Sequence, residues 1–249
     1  IWIATMLCIL YVFVVHAGQQ AVSKPLNALK PLLAAWNLCV AVFSAFGSYI
    51  SAKWLLSLWL HYGFHTTVCT RPAQLHTFGG SGDIWIGVFF VFSKILEFVD
   101  TFFKVALKKR IMFLHWYHHM MTCWVAWYSI AYGFGPGIWY AAINFSVHAI
   151  MYFYFFLSGV MPSRAFRAVQ RQVAPLITSF QIIQMASLLV VTGVTYRYKY
   201  YTPEGCSITD HTIYVMMAVI ASYFVLFVVF FIDRYLSKVK KSQDNLKQD

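Results

Sequence analysis

Seven apolar stretches divide this 249-residue sequence, and each is close to the ~20 residues that a helix needs to cross a membrane. They cover approximately residues 1–16, 32–51, 84–103, 111–132, 137–158, 173–196 and 211–232. Charged residues make up only 11% of the chain, against roughly one quarter in an average soluble domain. The sequence therefore predicts an all-α polytopic membrane protein with seven transmembrane helices.

Lysine and arginine are concentrated in alternate connections between these stretches. Residues 17–31, 104–110, 161–172 and 234–249 contain two, four, three and five of them, whereas 52–83, 133–136 and 197–210 contain two, none and two. Basic connections remain on the cytosolic side of a membrane. The pattern predicts a lumenal N-terminus and a cytosolic C-terminus.

We expect one seven-helix transmembrane domain over residues 1–236 and a polar cytosolic tail over 237–249. Because the sequence starts inside an apolar run, we also expect residues ahead of Ile1 that are missing here. The net charge of +11 favours partners that carry phosphate or carboxylate groups. Nucleic acid is not expected among them, because the cations lie between apolar runs rather than along an exposed helix.

Polar residues occur inside four of the predicted helices, where ionisable groups are costly and usually functional. They are Lys94, Glu97 and Asp100 in the third helix, His115, His118 and His119 in the fourth, Asn144 and His148 in the fifth, and Gln181 and Gln184 in the sixth. A rise of about 1.5 Å per residue places His118, His148 and Gln181 at a similar depth, roughly 12 to 15 Å from the cytosolic ends of their helices. The sequence predicts a polar chamber near the cytosol, with an apolar compartment beyond it.

These groups also have structural interpretations. The charged residues of the third helix could form an ion-pair network that only holds helices together, with Lys94 paired to Glu97 and Asp100 paired to Lys104. The two glutamines could serve as interhelical hydrogen-bond partners.

Imidazoles at positions i, i+3 and i+4 of one helix can bind a metal or act as nucleophiles and bases. A metal-dependent membrane desaturase or hydroxylase is therefore the alternative function, but such a di-iron site needs about eight ligands from several motifs. The sequence offers one histidine cluster and one isolated partner, so we predict no metal site. A neutral imidazole can instead attack a thioester and form an acyl-imidazole, which suits two-step acyl transfer. Cys123 is a weaker candidate for the nucleophile.

Four motifs in this region resemble those of the very-long-chain fatty-acid elongases of the endoplasmic reticulum. They are HxxHH at 115–119, KxxExxDT at 94–101, NxxxHxxMYxY at 144–154, and the paired glutamines Gln181 and Gln184. Two departures are visible. Ala106 and Leu107 precede Lys108 where the family usually has Leu-Arg, so the phosphate-binding role of that arginine cannot be carried over, and Phe155 stands where tyrosine is common.

The resemblance implies six helices around a central acyl tunnel that is closed at the lumenal end. It implies an acyltransferase of the 3-oxoacyl-CoA synthase type, which condenses acyl-CoA with malonyl-CoA, releases carbon dioxide and CoA, and needs no bound cofactor. Ketoreductase, dehydratase and enoyl reductase partners would complete the cycle in the membrane of the endoplasmic reticulum, and a homodimer is left open. The Trp116-Tyr117 pair resembles the one found in the branch of the family that acts on saturated and monounsaturated chains.

The residue roles follow from this resemblance together with the residues themselves. We expect His118 to be the nucleophile and His148 to orient it or to activate the malonyl thioester, while His115 and His119 position the acyl carbonyl or take up protons. The expected supporting residues are Lys94, Glu97, Asp100, Asn144, Gln181, Gln184 and Tyr152. The expected CoA-binding cations are Lys104, Lys108, Lys109, Arg164, Arg167 and Arg234.

The cysteines predict one disulfide. Of the five cysteines, Cys8, Cys39 and Cys123 fall within apolar helices. Cys69 and Cys206 lie in connections that the charge pattern places on the lumenal side, where disulfides form and persist. We therefore expect a bridge between Cys69 and Cys206 that helps to close the tunnel.

Overall fold

A computed structural model of the protein describes residues 1–71, 74, 85–161 and 163–237. All regular elements in this part of the chain are helical, which confirms the all-α prediction. In chain order they are α1 (Trp2–Ala21), a 3-10 turn (Asn27–Leu29), α2 (Lys30–Cys69), a π-helical stretch (Trp85–Phe90), α3 (Val91–Leu96), α4 (Phe98–Ala106), α5 (Phe113–Ala131), α6 (Gly137–Val160), α7 (Arg164–Tyr201), α8 (Asp210–Phe231) and a second π-helical stretch (Ile232–Leu236). With 85–106 counted as one broken segment, the described chain contains the seven predicted segments.

Five of these segments are long and apolar enough to cross a membrane: α1, the stretch from Asn27 to Cys69, α6, α7 and α8 with its π-helical extension. The remaining two are the segment 85–106 and helix α5. The segment 85–106 contains Lys94, Glu97 and Asp100 and is divided into short helices, whereas α5 contains His115, His118 and His119. The chain is a multi-pass membrane protein, and the polar groups singled out in the sequence lie on these two segments and on α6 and α7.

Helices α2 and α7 extend beyond the predicted spans. Residues 52–69, predicted as part of a polar connection, are helical and belong to α2, which is broken at Gly63 (φ 82°, ψ 163°), and α7 starts at Arg164 rather than near residue 173. The extension of α2 is stabilised by Trp54, Leu55 and Leu58, which pack against α6. The span prediction was wrong here because it ends a helix at the membrane boundary, whereas an apolar face that packs on a neighbour prolongs it. The glycine-rich break predicted at 79–82 lies outside the described residues.

The third segment is interrupted at Glu97. Helix α3 ends at Leu96 and α4 begins at Phe98, and the Glu97 amide donates to the Ser93 carbonyl at 2.9 Å. Glu97 keeps right-handed helical dihedral angles (φ −62°, ψ −15°) and this helical hydrogen bond, so the irregularity is local. The interruption lies at the acidic residue of the predicted chamber.

Helix α1 lies outside the ring formed by the other six segments. It packs against α4 and α5 through Cys8, Tyr11 and Val15 on one side and Phe98 and Cys123 on the other. The main cavity is lined by residues of α2, α4, α5, α6, α7 and α8 with their connections, and by none of α1. Six segments therefore surround the cavity, as the resemblance implied.

The end of the bundle opposite the cavity mouth is closed by the predicted disulfide. Cys69, the last residue of α2, is bonded to Cys206 between α7 and α8, with 4.8 Å between their Cα atoms. The Ser207 hydroxyl donates to the Cys69 carbonyl at 3.0 Å. The turn between α5 and α6 packs here so closely that a Cβ on Gly135 would lie 2.8 Å from the Thr70 carbonyl oxygen. We call this region the disulfide end.

Candidate active site

A cavity of about 670 Å³ opens between the six segments and contains the four predicted histidines in its wall. His115, His118 and His119 come from α5 and His148 comes from α6. Because α5 presents residues i, i+3 and i+4 on one face, its three imidazoles point in a common direction. The predicted supporting residues that also line the cavity are Asp100, Asn144, Tyr152, Gln181 and Gln184.

His148 is held by a buried charged network behind the cavity wall. Its Nδ1 atom lies 3.4 Å from Oε1 of Glu97, and the same oxygen lies 2.5 Å from Nζ of Lys94. Lys94 also donates to Oδ1 of Asn144 at 2.7 Å, so one ammonium connects the third segment to α6. All four side chains are at most 6% exposed. The predicted pairing of Lys94 with Glu97 is confirmed, and Glu97 orients the His148 ring through Nδ1.

Within the described part of the chain, His118, unlike His115 and His148, has no partner at its ring nitrogens, and it is more exposed than the buried His119. Its ring packs beside Tyr223 and Phe227, with centroid distances of 4.9 and 5.9 Å. Apolar packing fixes the ring without occupying its nitrogens, and the side chain is half-buried in the cavity wall.

His119 lies behind His118 and is buried, at 8% exposure. Its ring centroid is 4.4 Å from that of His115 and 5.6 Å from that of His118. Its Nδ1 atom is buried and has no partner among the described residues. Such a group can exchange a proton with a neighbour more readily than it can reach a bulky substrate.

Both ring nitrogens of His115 are engaged. Nε2 lies 3.0 Å from the Thr101 hydroxyl, and Nδ1 lies 3.1 Å from Nζ of Lys104. Thr101 also shares a 2.7 Å hydrogen bond with the Tyr11 hydroxyl of α1. The contacts place His115 as a link between the third segment and α5.

Asp100 has different partners from those predicted. Trp36 of α2 donates to Oδ1 at 2.6 Å, and the Tyr152 hydroxyl donates to Oδ2. The expected pairing with Lys104 is wrong because Lys104 turns towards His115 instead. Both carboxylate oxygens are thus satisfied by neutral donors from two other helices, and Tyr152 in turn packs against the His148 ring, with 5.5 Å between centroids.

The two glutamines of α7 have separate surroundings. Gln184 is buried at 4% exposure and faces the cavity. Gln181 also faces the cavity, and its Nε2 atom lies 3.1 Å from the sulfur of Met151. A thioether is a weak acceptor, so this amide can be redirected to a substrate oxygen.

The cations predicted to bind CoA divide into two groups. Lys104, Lys109 and Arg234 line the cavity, and Lys30 at the start of α2 joins them. Lys108, Arg164 and Arg167 do not line it: the Lys108 ammonium donates to the Val22 carbonyl, and the two arginines are exposed in the first turn of α7. Lys30 belongs to one of the basic connections counted in the sequence, but no neighbouring residue there marks it as part of the cavity.

A second, narrow cavity of about 50 Å³ continues from the chamber towards the disulfide end. His118, Asn144, Gln184 and Met185 line both cavities. The remaining lining is mainly apolar and reaches Phe134, which is fully buried in the turn between α5 and α6. The arrangement matches the predicted polar chamber with an apolar compartment beyond it.

The donor set does not fit the metal site that the alternative function would require. The Lys94 ammonium lies against Glu97, the carboxylate nearest to His148, and both His115 nitrogens are already bonded. A second cluster, formed by His65, Cys69 and Cys206, has metal-ligand spacing, but its two sulfurs form the disulfide. The described donors therefore do not form the multi-ligand site that a desaturase or hydroxylase needs.

The sequence agrees with one family over nearly its whole length. Residues 1–243 match the profile of the GNS1/SUR4 (ELO) family. The chain belongs to this family. It is 33% identical over 237 residues to a "Very long chain fatty acid elongase 4" of Trypanosoma cruzi, covering 94% of this chain and 80% of that protein. It is 32% identical over 234 residues to the mouse "Very long chain fatty acid elongase 6", covering 94% and 84%.

A "Fatty acid elongase 3" of Trypanosoma brucei is 32% identical over 263 residues, with 97% of this chain and 85% of that protein covered. The resemblance stated from the four motifs is therefore confirmed over the whole chain. Membership in this family favours the acyl-transfer chemistry of the histidines over the desaturase alternative.

Proposed function

We propose that this protein is the condensing enzyme of fatty-acid elongation, which joins an acyl-CoA and malonyl-CoA into a 3-oxoacyl-CoA two carbons longer. One observation carries the proposal. His118, whose ring nitrogens have no hydrogen-bond partner in the described chain, lies where the polar chamber meets the narrow apolar cavity. An acyl tail in the apolar cavity would place its thioester carbonyl at this imidazole.

In the first step a ring nitrogen of His118 attacks the acyl-CoA carbonyl. The new C–N bond replaces the C–S bond, the CoA thiolate leaves, and the proton of the second ring nitrogen passes to the thiolate. The product is a neutral acyl-imidazole, which is a good acyl donor. His148, oriented by Glu97 through Nδ1, is the nearby base that carries this proton.

In the second step malonyl-CoA loses carbon dioxide, and the electrons of the broken C–C bond form a thioester enolate. The enolate carbon attacks the acyl carbonyl, the C–N bond breaks, and the departing imidazolate regains one proton from solvent through His148. Gln181 and Gln184 face the chamber and supply N–H donors for the enolate oxygen. Asn144 supports the network because its side-chain oxygen accepts a hydrogen bond from Lys94.

The extent of the apolar lining favours a long-chain substrate, and the narrow cavity of about 50 Å³ must widen to admit one. From His118 to Ile130, which lines its far part, α5 rises about 18 Å at ~1.5 Å per residue. Half of a ~30 Å hydrocarbon core, filled by the acyl chains of one leaflet, is roughly 15 Å. We infer acyl chains of the length found in membrane lipids, buried at about 0.8 kcal/mol per methylene.

The chemistry of the product also defines the partners. A 3-oxoacyl-CoA must be reduced, dehydrated and reduced again before it is a saturated chain, so we propose ketoreductase, dehydratase and enoyl reductase enzymes as partners. We further propose the endoplasmic reticulum membrane, with the cavity mouth towards the cytosol and the disulfide end towards the lumen, because the basic residues gather at the mouth. A homodimer stays a prediction, as does the absence of a bound cofactor.

The decisive experiment uses purified protein, a long acyl-CoA and malonyl-CoA labelled at one of two carbons. Label at carbon 2 is expected in the extended 3-oxoacyl-CoA, and label in the carboxyl group is expected as carbon dioxide. His118→Ala should yield neither, whereas His211→Ala, at an exposed site on α8, should behave as the unmodified protein. Absence of both labelled products from the unmodified protein would refute the function.

A further inference from the structure

Tyr11 connects the peripheral helix α1 to the chamber. Its hydroxyl shares a 2.7 Å hydrogen bond with Thr101, and its ring stacks on Phe98 with 4.1 Å between centroids. Tyr11 is 2% exposed and Thr101 is fully buried, so water does not compete for the bond. Tyr11 belongs to none of the four motifs, and α1 contributes nothing to the cavity wall.

From Thr101 the contacts continue to a cation in the cavity wall. Thr101 and Lys104 lie three residues apart on α4 and contact opposite nitrogens of His115, at 3.0 and 3.1 Å. Among the residues that the structure describes, no carboxylate lies within 4 Å of the Lys104 ammonium, which lines the cavity. Lys104 is therefore available to a phosphate or carboxylate of a bound CoA thioester.

The order of donors along this chain follows from the chemistry of the groups. An ammonium can only donate, so His115 must accept at Nδ1 and carry its proton on Nε2. Thr101 then accepts from Nε2, which leaves its own proton available for the Tyr11 oxygen. Without a hydroxyl at position 11, Thr101 can rotate and donate to Nε2. That bond favours the other His115 tautomer, whose Nδ1 proton faces the Lys104 ammonium, donor against donor, so Thr101 and Lys104 would compete for the imidazole.

We propose that Tyr11 is a positioning residue for the CoA substrates, which acts through the tautomer of His115 on the direction of the Lys104 ammonium. The helix outside the ring thus contributes to substrate recognition rather than only to anchoring. The inference rests on the proposed function, since its effect is measured with CoA thioesters.

The test compares two substitutions that each remove one hydrogen bond between α1 and its neighbours. Tyr11→Phe keeps the stacking on Phe98 and removes the bond to Thr101. Thr5→Val removes the bond that Trp124 Nε1 donates to Thr5 at 3.2 Å, which does not lead to a histidine. We expect Tyr11→Phe to raise the KM for malonyl-CoA roughly two- to tenfold, the range of one hydrogen bond, with little change in kcat. Thr5→Val should leave both constants unchanged.

A double-mutant cycle with Lys104→Met separates positioning from general destabilisation. If Tyr11 acts through Lys104, Tyr11→Phe has no further effect on kcat/KM once Lys104 is replaced. Additive effects, equal effects of Tyr11→Phe and Thr5→Val, or an unchanged KM in Tyr11→Phe would each overturn the inference. Condensation by the unmodified protein is measured alongside, so loss of the proposed function is distinguished from loss of this inference.

Discussion

The Nδ1 atom of His148 lies 3.4 Å from Oε1 of Glu97. This is long for a hydrogen bond, but bonds of catalytic histidines in unliganded enzymes are often long and tighten with substrate. Glu97 cannot turn away, because the same oxygen lies 2.5 Å from the Lys94 ammonium. The carboxylate therefore fixes the orientation of His148 and compensates its charge whenever the imidazole takes up a proton.

Glu97→Gln, compared with a double variant, should distinguish the role of Glu97 in catalysis from its role in stability. We expect turnover to fall about 10²- to 10⁴-fold, as for loss of an oriented general base, and stability to fall by about 3 to 5 kcal/mol because Lys94 is left as an unpaired buried charge. The double variant Lys94→Met, Glu97→Gln removes both charges and should recover most of the thermal stability without recovering turnover. Normal turnover in Glu97→Gln would show that His148 does not depend on this carboxylate.

Trp36→Phe and Trp127→Phe form a matched pair that tests the surroundings of Asp100. Trp36 donates to Asp100 at 2.6 Å, whereas the buried Nε1 of Trp127 has no partner among the described residues. Without the Trp36 indole N–H, Oδ1 of Asp100 has no hydrogen-bond donor among the described residues. We therefore expect Trp36→Phe to lower the free energy of unfolding by about 1 to 3 kcal/mol. Trp127→Phe should cost less or nothing. Thermal unfolding in detergent measures both, and equal losses would contradict the assignment.

The cations of the cavity wall should matter more than the exposed arginines of α7. We expect Lys109→Ala and Arg234→Ala each to raise the KM for CoA substrates roughly three- to tenfold, the range of one accessible charge-assisted hydrogen bond. Arg164→Ala and Arg167→Ala should leave KM unchanged at physiological salt, because exposed charges away from the ligand are screened. Measuring KM over a range of ionic strengths shows which of these cations contact the CoA substrates. An equal rise for the arginine variants would extend the CoA site onto α7.

The disulfide end can be tested without an activity assay. Cys69→Ser with Cys206→Ser opens a loop of 137 residues and should lower stability by about 5 kcal/mol in the loop-entropy estimate. Cys39→Ser, at an exposed free cysteine, is the control and should change nothing. Peptide mapping without reduction should recover Cys69 and Cys206 in one linked species. Alkylation of both thiols before reduction would refute the bridge.

The sequence predicts the chamber better than it predicts the contacts that hold it. Helical rise and spacing are local properties, so the common depth of His118 and His148 follows from counting residues along their helices. The partners of Asp100 do not, because Trp36 is 64 residues away and looks like any aromatic residue in an apolar helix. The i, i+4 rule favours an ion pair between Asp100 and Lys104, but donors on other helices occupy the carboxylate oxygens instead.

The ends of the helices are likewise predicted less well from the sequence than their centres. Hydropathy locates the apolar core of α2, but the helix continues past residue 51 as far as the break at Gly63 because Leu58 packs against α6, which only tertiary structure reveals. Tyr11 and Lys30 were missed for the same reason: neither belongs to a motif, and their roles arise from contacts with distant segments.

The most direct test of the account is to trap the acyl group on the enzyme. Purified protein is incubated with a long acyl-CoA and no malonyl-CoA, and its intact mass is measured before and after addition of malonyl-CoA. We predict an increase in intact mass by one acyl group, its disappearance when malonyl-CoA is added, and no increase in His118→Ala. An unmodified protein that condenses both substrates yet never gains this mass, or an acyl group that persists in His118→Ala, would contradict the account.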